Sequence, residues 1–252
     1  MVAVPLAVAF LVGVAIVVAN SPATTGASSV DAVGTSAAPG VVGPSASTDR
    51  STPTAAQQTP SAPTGPSSPA ALRELQTLAV DGGTNNPRYE RAYFGEAWVD
   101  VDANGCDTRN DILRRDLVDV RFRSDNPDCI VRSGVLEDAY TGATIPFTRG
   151  WETSEAVQID HIVPLAYAWR HGASGWSDAQ RLAFANDPVN LQAVDGPTNG
   201  AKSDSGPAEW MPPNSAYACP YVQRFVHVAA VYGLTVTQSD LDAMARIVSD
   251  CG

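Results

Sequence analysis

A long stretch of small and polar residues limits how much of this chain can fold. Of the 50 residues from 21 to 70, 41 are Ser, Thr, Pro, Gly or Ala, and none is aromatic. Such a segment buries too little apolar surface to offset the conformational entropy that folding costs, so we expect a flexible linker over residues 21–70. About 180 of the 252 residues then remain, enough for one domain with one core, which we place at residues 71–252.

The segment before this linker is apolar. Residues 2–19 carry no charged side chain, and Asn20 ends the run. Eighteen residues of α-helix would span about 27 Å, close to the thickness of a bilayer core. Residues 1–20 are therefore predicted to be an export signal peptide or a retained membrane anchor, and the folded domain is expected to be secreted or otherwise extracytoplasmic.

The cysteines predict two disulfide bonds. The chain contains four of them, Cys106, Cys129, Cys219 and Cys251. None has the C-x-x-C spacing of structural zinc sites, so in an exported chain we expect two disulfides, for which three pairings are possible. Apolar residues recur at helical spacing in residues 217–232 and 239–249, with a short turn between them, which predicts a C-terminal helical hairpin. The hairpin brings Cys219 beside Cys251, and the other two cysteines then pair with each other.

Helical and strand patterns follow one another irregularly in the rest of the domain. Helices are predicted over residues 69–80, 108–117 and 177–185, and short strands over residues 117–122, 129–136, 144–147, 157–162 and 191–194. This mixed order indicates an α+β domain rather than a sheet built of repeating βαβ units.

The charge of the domain argues against tight binding to nucleic acid. From residue 71 onward there are 15 Lys and Arg residues against 25 Asp and Glu residues. Nucleic-acid enzymes usually carry a basic surface, so binding is expected to be weak and phosphate contacts local. The best basic cluster is the predicted helix with Arg109, Arg114 and Arg115, in which Arg109 is the predicted phosphate contact. The alternative for Arg109 is pairing with the neighbouring aspartates.

The residues that could carry chemistry lie between positions 158 and 214. A metal-dependent nuclease needs a base that deprotonates water and a hard cation at the scissile phosphate. Asp160 offers a carboxylate and Asn199 an amide oxygen, which suit Mg²⁺, and His161 is then free to be the base. Adjacent strand residues point to opposite faces, so Asp160 and His161 can share a site only where the strand ends; Pro164 is consistent with such an end.

Two further residues are assigned to the same site. Asn190 precedes a predicted strand, and its amide can tie backbone groups across a loop, so we expect it to hold the loop of His161. Lys202 is the only lysine in the chain and follows Asn199 by three residues. On the opening turn of a helix the two would share a face, which would let Lys202 reach the same phosphate. The alternative for Lys202 is a solvated side chain.

These motifs resemble those of the HNH, or ββα-metal, endonuclease superfamily. The resemblance rests on D-H-I-V-P at residues 160–164, N-L at 190–191 and N-x-x-K-S-D at 199–204, a form also seen in the HNH domains of RNA-guided CRISPR nucleases. Residues 72–251 as a whole resemble exported bacterial HNH proteins and are similar to the C-terminal domain of GmrSD-type restriction enzymes. Trp169, Phe184-Ala-Asn-Asp187 and Trp210-Met-Pro-Pro-Asn214 support this wider likeness.

The resemblance implies a ββα-metal core within the α+β domain. It implies that Asp160 and Asn199 bind one divalent ion, that His161 is the base and that Asn190 orients it. Asn199 stands where the superfamily's name has a histidine, which favours Mg²⁺ or Mn²⁺ over Zn²⁺. The implied activity is an exported endonuclease with little sequence specificity, acting on DNA, with RNA as a second candidate and no stable protein partner. The alternatives are a non-catalytic cell-surface binding module on the same fold and a toxin-like effector.

Overall fold

The computed structural model describes residues 68–251. The predicted export segment and almost all of the predicted linker lie outside the described residues. The helices are α1 (Ser68–Leu75), α2 (Thr108–Asp116), α3 (Leu165–Arg170), α4 (Asp178–Ala185), α5 (Gly196–Lys202), α6 (Ala218–Val231) and α7 (Gln238–Asp250). The strands are β1 (Leu117–Arg123), β2 (Asn126–Glu137), β3 (Thr144–Thr148), β4 (Val157–His161) and β5 (Leu191–Asp195). Within residues 68–251, no helix combines the length and the apolar character needed to cross a bilayer.

The strands form two small antiparallel sheets, which confirms the mixed α+β class. β1, β2 and β3 make a three-stranded sheet in sequence order, and β4 pairs with β5 in a separate two-stranded sheet. One hydrophobic cluster lies under the helices and includes Tyr221 and Phe225 of α6. A second cluster, with Val131 and Leu191, joins the three-stranded sheet to the β4–β5 pair.

Local sequence signals set most helix boundaries. Ser177 and Gln180 form the expected capping box at the start of α4, in which each side chain accepts a backbone N–H of the other residue. Helix α1 departs from its prediction, because it ends at Leu75 instead of continuing to residue 80. The chain leaves the helix so that Val80 can form a parallel bridge with Val236. The apolar residues after Leu75 therefore lead into a strand-like contact. Their spacing alone cannot distinguish such a contact from a further helical turn.

The C-terminal hairpin and both disulfides are confirmed. Helices α6 and α7 pack against each other and against α1. Cys219 pairs with Cys251, and Cys106 pairs with Cys129. The first bridge closes the open end of the hairpin, and the second ties the segment before α2 to strand β2.

The unit that builds the site consists of β4, β5 and α5. His161 is the last residue of β4 and is paired with Leu191, the first residue of β5. Helix α5 begins directly after β5, where Asp195 accepts the backbone N–H of Thr198. The buried guanidinium of Arg224 on α6 fixes the start of β5, since it donates to the carbonyl oxygens of Val189 and Leu191. The two strand ends and α5 are therefore held in one place.

Candidate active site

A cleft of about 510 Å³ opens where β4 ends beside α5. Three of the residues that the sequence assigned to one site, Asp160, His161 and Asn199, line this cleft together. An earlier segment of the chain contributes Tyr89, Arg91 and Trp98 to its lining. The end of β4 thus lets two adjacent strand residues reach one cavity.

The imidazole of His161 is held by a backbone carbonyl. Its Nε2 lies 2.9 Å from the carbonyl oxygen of Ala185, the last residue of α4. A carbonyl oxygen can only accept, so the neutral ring carries its proton on Nε2 and leaves Nδ1 able to accept one. The indole of Trp98 stacks on the imidazole, with ring centres 6.3 Å apart. Burial lowers the pKa of His161 to about 4, so the ring is neutral at pH 7.

The carboxylate of Asp160 is buried beside two donors, Tyr140 and Lys202, which make three close contacts with it. The Tyr140 hydroxyl donates to Oδ2 at 2.5 Å, and the Lys202 ammonium lies 2.9 Å from Oδ2 and 3.1 Å from Oδ1. Two carboxylate oxygens together offer about four acceptor positions, so Oδ1 keeps one that these donors do not use. Burial, reinforced by the charge of Asp160, raises the pKa of the Tyr140 phenol well above its ordinary value, so the phenol remains a donor.

Lys202 was expected either to contact the substrate phosphate or to be solvated, and both expectations for its position are wrong. Its side chain is fully buried, so it is neither a solvated lysine nor a surface contact for phosphate. Because α5 starts immediately after β5, Lys202 is the last residue of the helix instead of lying on its opening turn. There it donates to Asp160 and to the carbonyl oxygen of His161, at 2.8 Å. Burial lowers the pKa of its ammonium, an effect that the charge of Asp160 opposes.

The two asparagines make different hydrogen bonds. Asn190 is fully buried and ties the loop after β4: its Oδ1 accepts the backbone N–H of Val163 at 2.8 Å, and its Nδ2 donates back to the Val163 carbonyl. The Nδ2 of Asn199 donates to Oε1 of Gln158 on β4 at 2.9 Å. This bond sets the direction of the Asn199 amide and leaves its oxygen as the atom available to a ligand.

The arginine in the cleft differs from the one that the sequence suggested. Arg109 on α2 is absent from the cleft lining and lies near Arg149, whose charge adds to the burial that lowers the pKa of Arg109. Arg91, which is exposed, lines the cleft instead, together with Trp98. Neither Arg91 nor Trp98 belongs to a recognisable motif, and both lie more than 60 positions before His161, so a single sequence offers no signal that would place them there.

Comparison with known proteins points to one family. The family of GmrSD restriction endonucleases, C-terminal domain, matches residues 107–247. An uncharacterized secreted protein of Arthroderma benhamiae is 36% identical over 194 residues, which are 76% of this chain and 90% of that protein. No solved structure matches the chain. The family match contains Asp160, His161 and Asn199 but begins after the segment of Arg91 and Trp98, and neither match shows that the chain is bacterial.

Proposed function

The chain belongs to the family of the GmrSD restriction endonuclease C-terminal domain, and on that premise we propose that it is a secreted, metal-dependent endonuclease. Its proposed substrate is the phosphodiester backbone of DNA, with RNA as a second candidate. The observation that carries the proposal is a neutral imidazole, His161, held by the Ala185 carbonyl in the same cleft as Asp160 and Asn199. The relative from Arthroderma benhamiae is named as secreted, and two disulfides fit a location outside the cytoplasm.

In the proposed reaction His161 removes a proton from the attacking water. The proton goes to Nδ1, because Nε2 already holds a hydrogen that it donates to the Ala185 carbonyl. This hydrogen bond strengthens when the ring becomes positively charged, so the carbonyl stabilises the protonated base. Asn190 is proposed as a positioning residue, since its bonds to Val163 fix the loop that follows His161.

The donor set suits a single, weakly held hard cation. Within residues 68–251 no group of three His, Cys, Asp or Glu side chains could hold a metal ion. The remaining acceptor position on Oδ1 of Asp160 and the free amide oxygen of Asn199 are two oxygen donors, which fits Mg²⁺ or Mn²⁺ binding that is completed by water and substrate phosphate. When bound, such an ion would neutralise charge on the scissile phosphate and on its leaving oxygen. Lys202 already balances the charge of Asp160, so binding without substrate should be weak.

The segment that contributes Arg91 and Trp98 to the cleft suits a nucleic acid. The exposed guanidinium of Arg91 can contact a backbone phosphate. The indole of Trp98 offers an aromatic surface beside the imidazole of His161. Because the chain has a net charge of −11, these contacts should support only modest affinity at physiological salt.

The proposal is tested by incubating the purified protein with supercoiled plasmid and with RNA, in Mg²⁺, Mn²⁺ or chelator. His161→Ala should lower the cleavage rate by roughly 10² to 10⁴ while DNA binding persists, because only proton transfer is lost. His227→Ala, at a partly exposed position on α6 that pairs with Glu74, is the matched control and should cleave like the wild type. Absence of cleavage under every metal condition would contradict the proposal and favour the alternative function, a non-catalytic binding module.

A second pair of variants separates the base from the ligands. Asn199→Ala should weaken metal binding measured by calorimetry, and raising Mn²⁺ should restore part of its activity. The same Mn²⁺ should not restore His161→Ala, whose missing proton acceptor the metal does not supply. If His161→Ala loses metal binding while Asn199→Ala keeps both binding and activity, the two roles are assigned wrongly.

A further inference from the structure

A second concave surface lies on the three-stranded sheet, away from the residues that line the cleft. It encloses about 490 Å³ and is lined by Arg123, Ser124, Asp125, Arg132 and Arg149. We call it the basic groove. It shares no lining residue with the cleft of His161. Three arginines meeting in one groove are unexpected in a chain whose net charge is −11.

Two of these arginines face each other across the sheet. Ser133 on β2 is paired with Thr148 on β3, and the backbone N–H of Arg149 donates to the Arg132 carbonyl at 2.8 Å, so Arg132 and Arg149 are the next opposite pair. Like charges directly opposite on neighbouring strands repel and destabilise a sheet. An anion bound in the groove that both arginines line would offset such repulsion.

No carboxylate comes within ion-pairing distance of Arg132 or Arg149 in the described part of the chain. Arg123 is ion-paired with Asp125. Arg149 donates to the Val131 carbonyl and to the Asn110 side chain, so its position is fixed while its charge is retained.

The pKa values of Arg149 and Arg109 show that positive charges lie close together around Arg149. Burial, reinforced by the charge of Arg123, lowers the pKa of Arg149, although Asp107 opposes the shift. Arg149 in turn adds to the burial that lowers the pKa of Arg109 on the adjacent helix α2. Arg132 is exposed and so remains accessible to a ligand.

We propose that the basic groove binds backbone phosphates of the same nucleic acid strand or duplex that is cut at His161. The inference rests on the proposed nuclease function and gives the substrate a minimum extent, since a ligand that reaches both surfaces must extend beyond the cleft. Phosphate contacts of this kind position a substrate without reading its sequence, which agrees with the low sequence specificity expected from the acidic chain.

The test measures binding apart from cleavage. Fluorescence anisotropy follows a labelled 20-nucleotide DNA, single-stranded and then as a duplex, in chelator at several salt concentrations. Arg132→Gln should weaken binding roughly tenfold at 0.1 M salt and reduce the slope of log affinity against log salt by about 1, the effect of one lost phosphate contact. Arg132→Glu should weaken binding further. Arg246→Gln, an exposed arginine on α7, is the matched control and should change neither quantity.

Activity gives an independent readout. Arg132→Gln should raise the KM for plasmid DNA and leave turnover of bis(p-nitrophenyl) phosphate unchanged, because that small ester cannot span both surfaces. Unchanged DNA affinity and salt slope in both Arg132 variants overturn the groove as a binding site, even if the wild type cleaves DNA. A wild type that binds DNA through Arg132 but never cleaves it contradicts the nuclease proposal and keeps the groove. Arg132-dependent binding of heparin without binding of DNA also overturns the inference.

Discussion

The ammonium of Lys202 lies 2.9 Å and 3.1 Å from the two carboxylate oxygens of Asp160. It also donates to the carbonyl oxygen of His161, the neighbouring residue. One buried ammonium thus holds both the side chain of Asp160, the proposed metal ligand, and the backbone of His161, the proposed base. Because both members of the ion pair are buried, removal of either one leaves an uncompensated charge in the interior.

Lys202→Met is therefore expected to lower the free energy of unfolding by about 3 to 5 kcal/mol in chelator, since Asp160 loses its counter-ion. Mn²⁺ should recover part of this loss if Asp160 is a ligand, because the bound cation replaces the missing charge. Arg170→Met is the control: it breaks a more exposed pair with Asp204 and should cost less than about 1 kcal/mol. Urea unfolding of both variants with and without Mn²⁺ checks this, and equal losses would contradict it.

Asn190→Ala should destabilise the loop after β4. The substitution leaves the backbone N–H and carbonyl of Val163 buried without their partner, at a cost on the order of 2 to 4 kcal/mol. If the loop positions His161, kcat should fall more than KM rises, since the substrate contacts remain. Steady-state kinetics and urea unfolding give both numbers; Asn126→Ala at the first residue of β2 serves as the control. A variant with normal kcat would reduce Asn190 to a purely structural role.

Removal of the Cys219–Cys251 bridge should reduce stability by about 3 to 4 kcal/mol. The bridge closes a loop of 32 residues, and its loss gives that much extra entropy to the unfolded chain. The double variant Cys219→Ala/Cys251→Ala avoids a free thiol. The Cys106–Cys129 bridge closes a loop of 23 residues, so the corresponding double alanine variant should show a similar loss. A loss below about 1 kcal/mol in urea unfolding would show that the unfolded chain is already constrained.

Two buried histidines, His161 and His171, are expected to lower stability between pH 7 and pH 5, and the part due to His171 can be tested apart from the proposed site. The His171 side chain is 3% exposed, and burial lowers its pKa despite the opposing charge of Asp81. An unfolded histidine takes up a proton at about pH 6.5, so below that pH the unfolded state binds more protons than the folded state, and the free energy of unfolding decreases with falling pH. His171→Gln should remove its part of this slope in urea titrations, while the part that comes from the lowered pKa of His161 should remain. NMR titration of the His171 ring at or above pH 6.5 would contradict the prediction.

Elements set by local pattern were predictable from the sequence. The repeat of apolar residues in α6 and α7 predicts the hairpin, and Ser177 with Gln180 predicts the start of α4, because capping and helical periodicity depend on near neighbours. The order of the motifs also predicts that Asp160, His161 and Asn199 lie together, and all three line one cleft.

The partners of these residues were beyond sequence reasoning. The Tyr140 hydroxyl on Asp160 and the Ala185 carbonyl on His161 come from segments that meet only in the folded chain. The orientation of Lys202 depends on the residue at which α5 begins, and helix boundaries are known from sequence only to within a few positions. When the start of α5 lies one turn earlier than expected, Lys202 moves from an exposed position to a buried one, where it pairs with Asp160.

The hydrogen bond between His161 and Ala185 also decides how protons can travel. A carboxylate behind an imidazole could accept the second proton of the ring and pass it inward, whereas an amide carbonyl is far too weak a base to do so. Any proton that Nδ1 takes up must therefore leave through Nδ1, back toward the side from which it came. If His161 is the base, it cannot relay protons into the interior, and solvent or the departing product has to remove the proton from Nδ1 after each turnover.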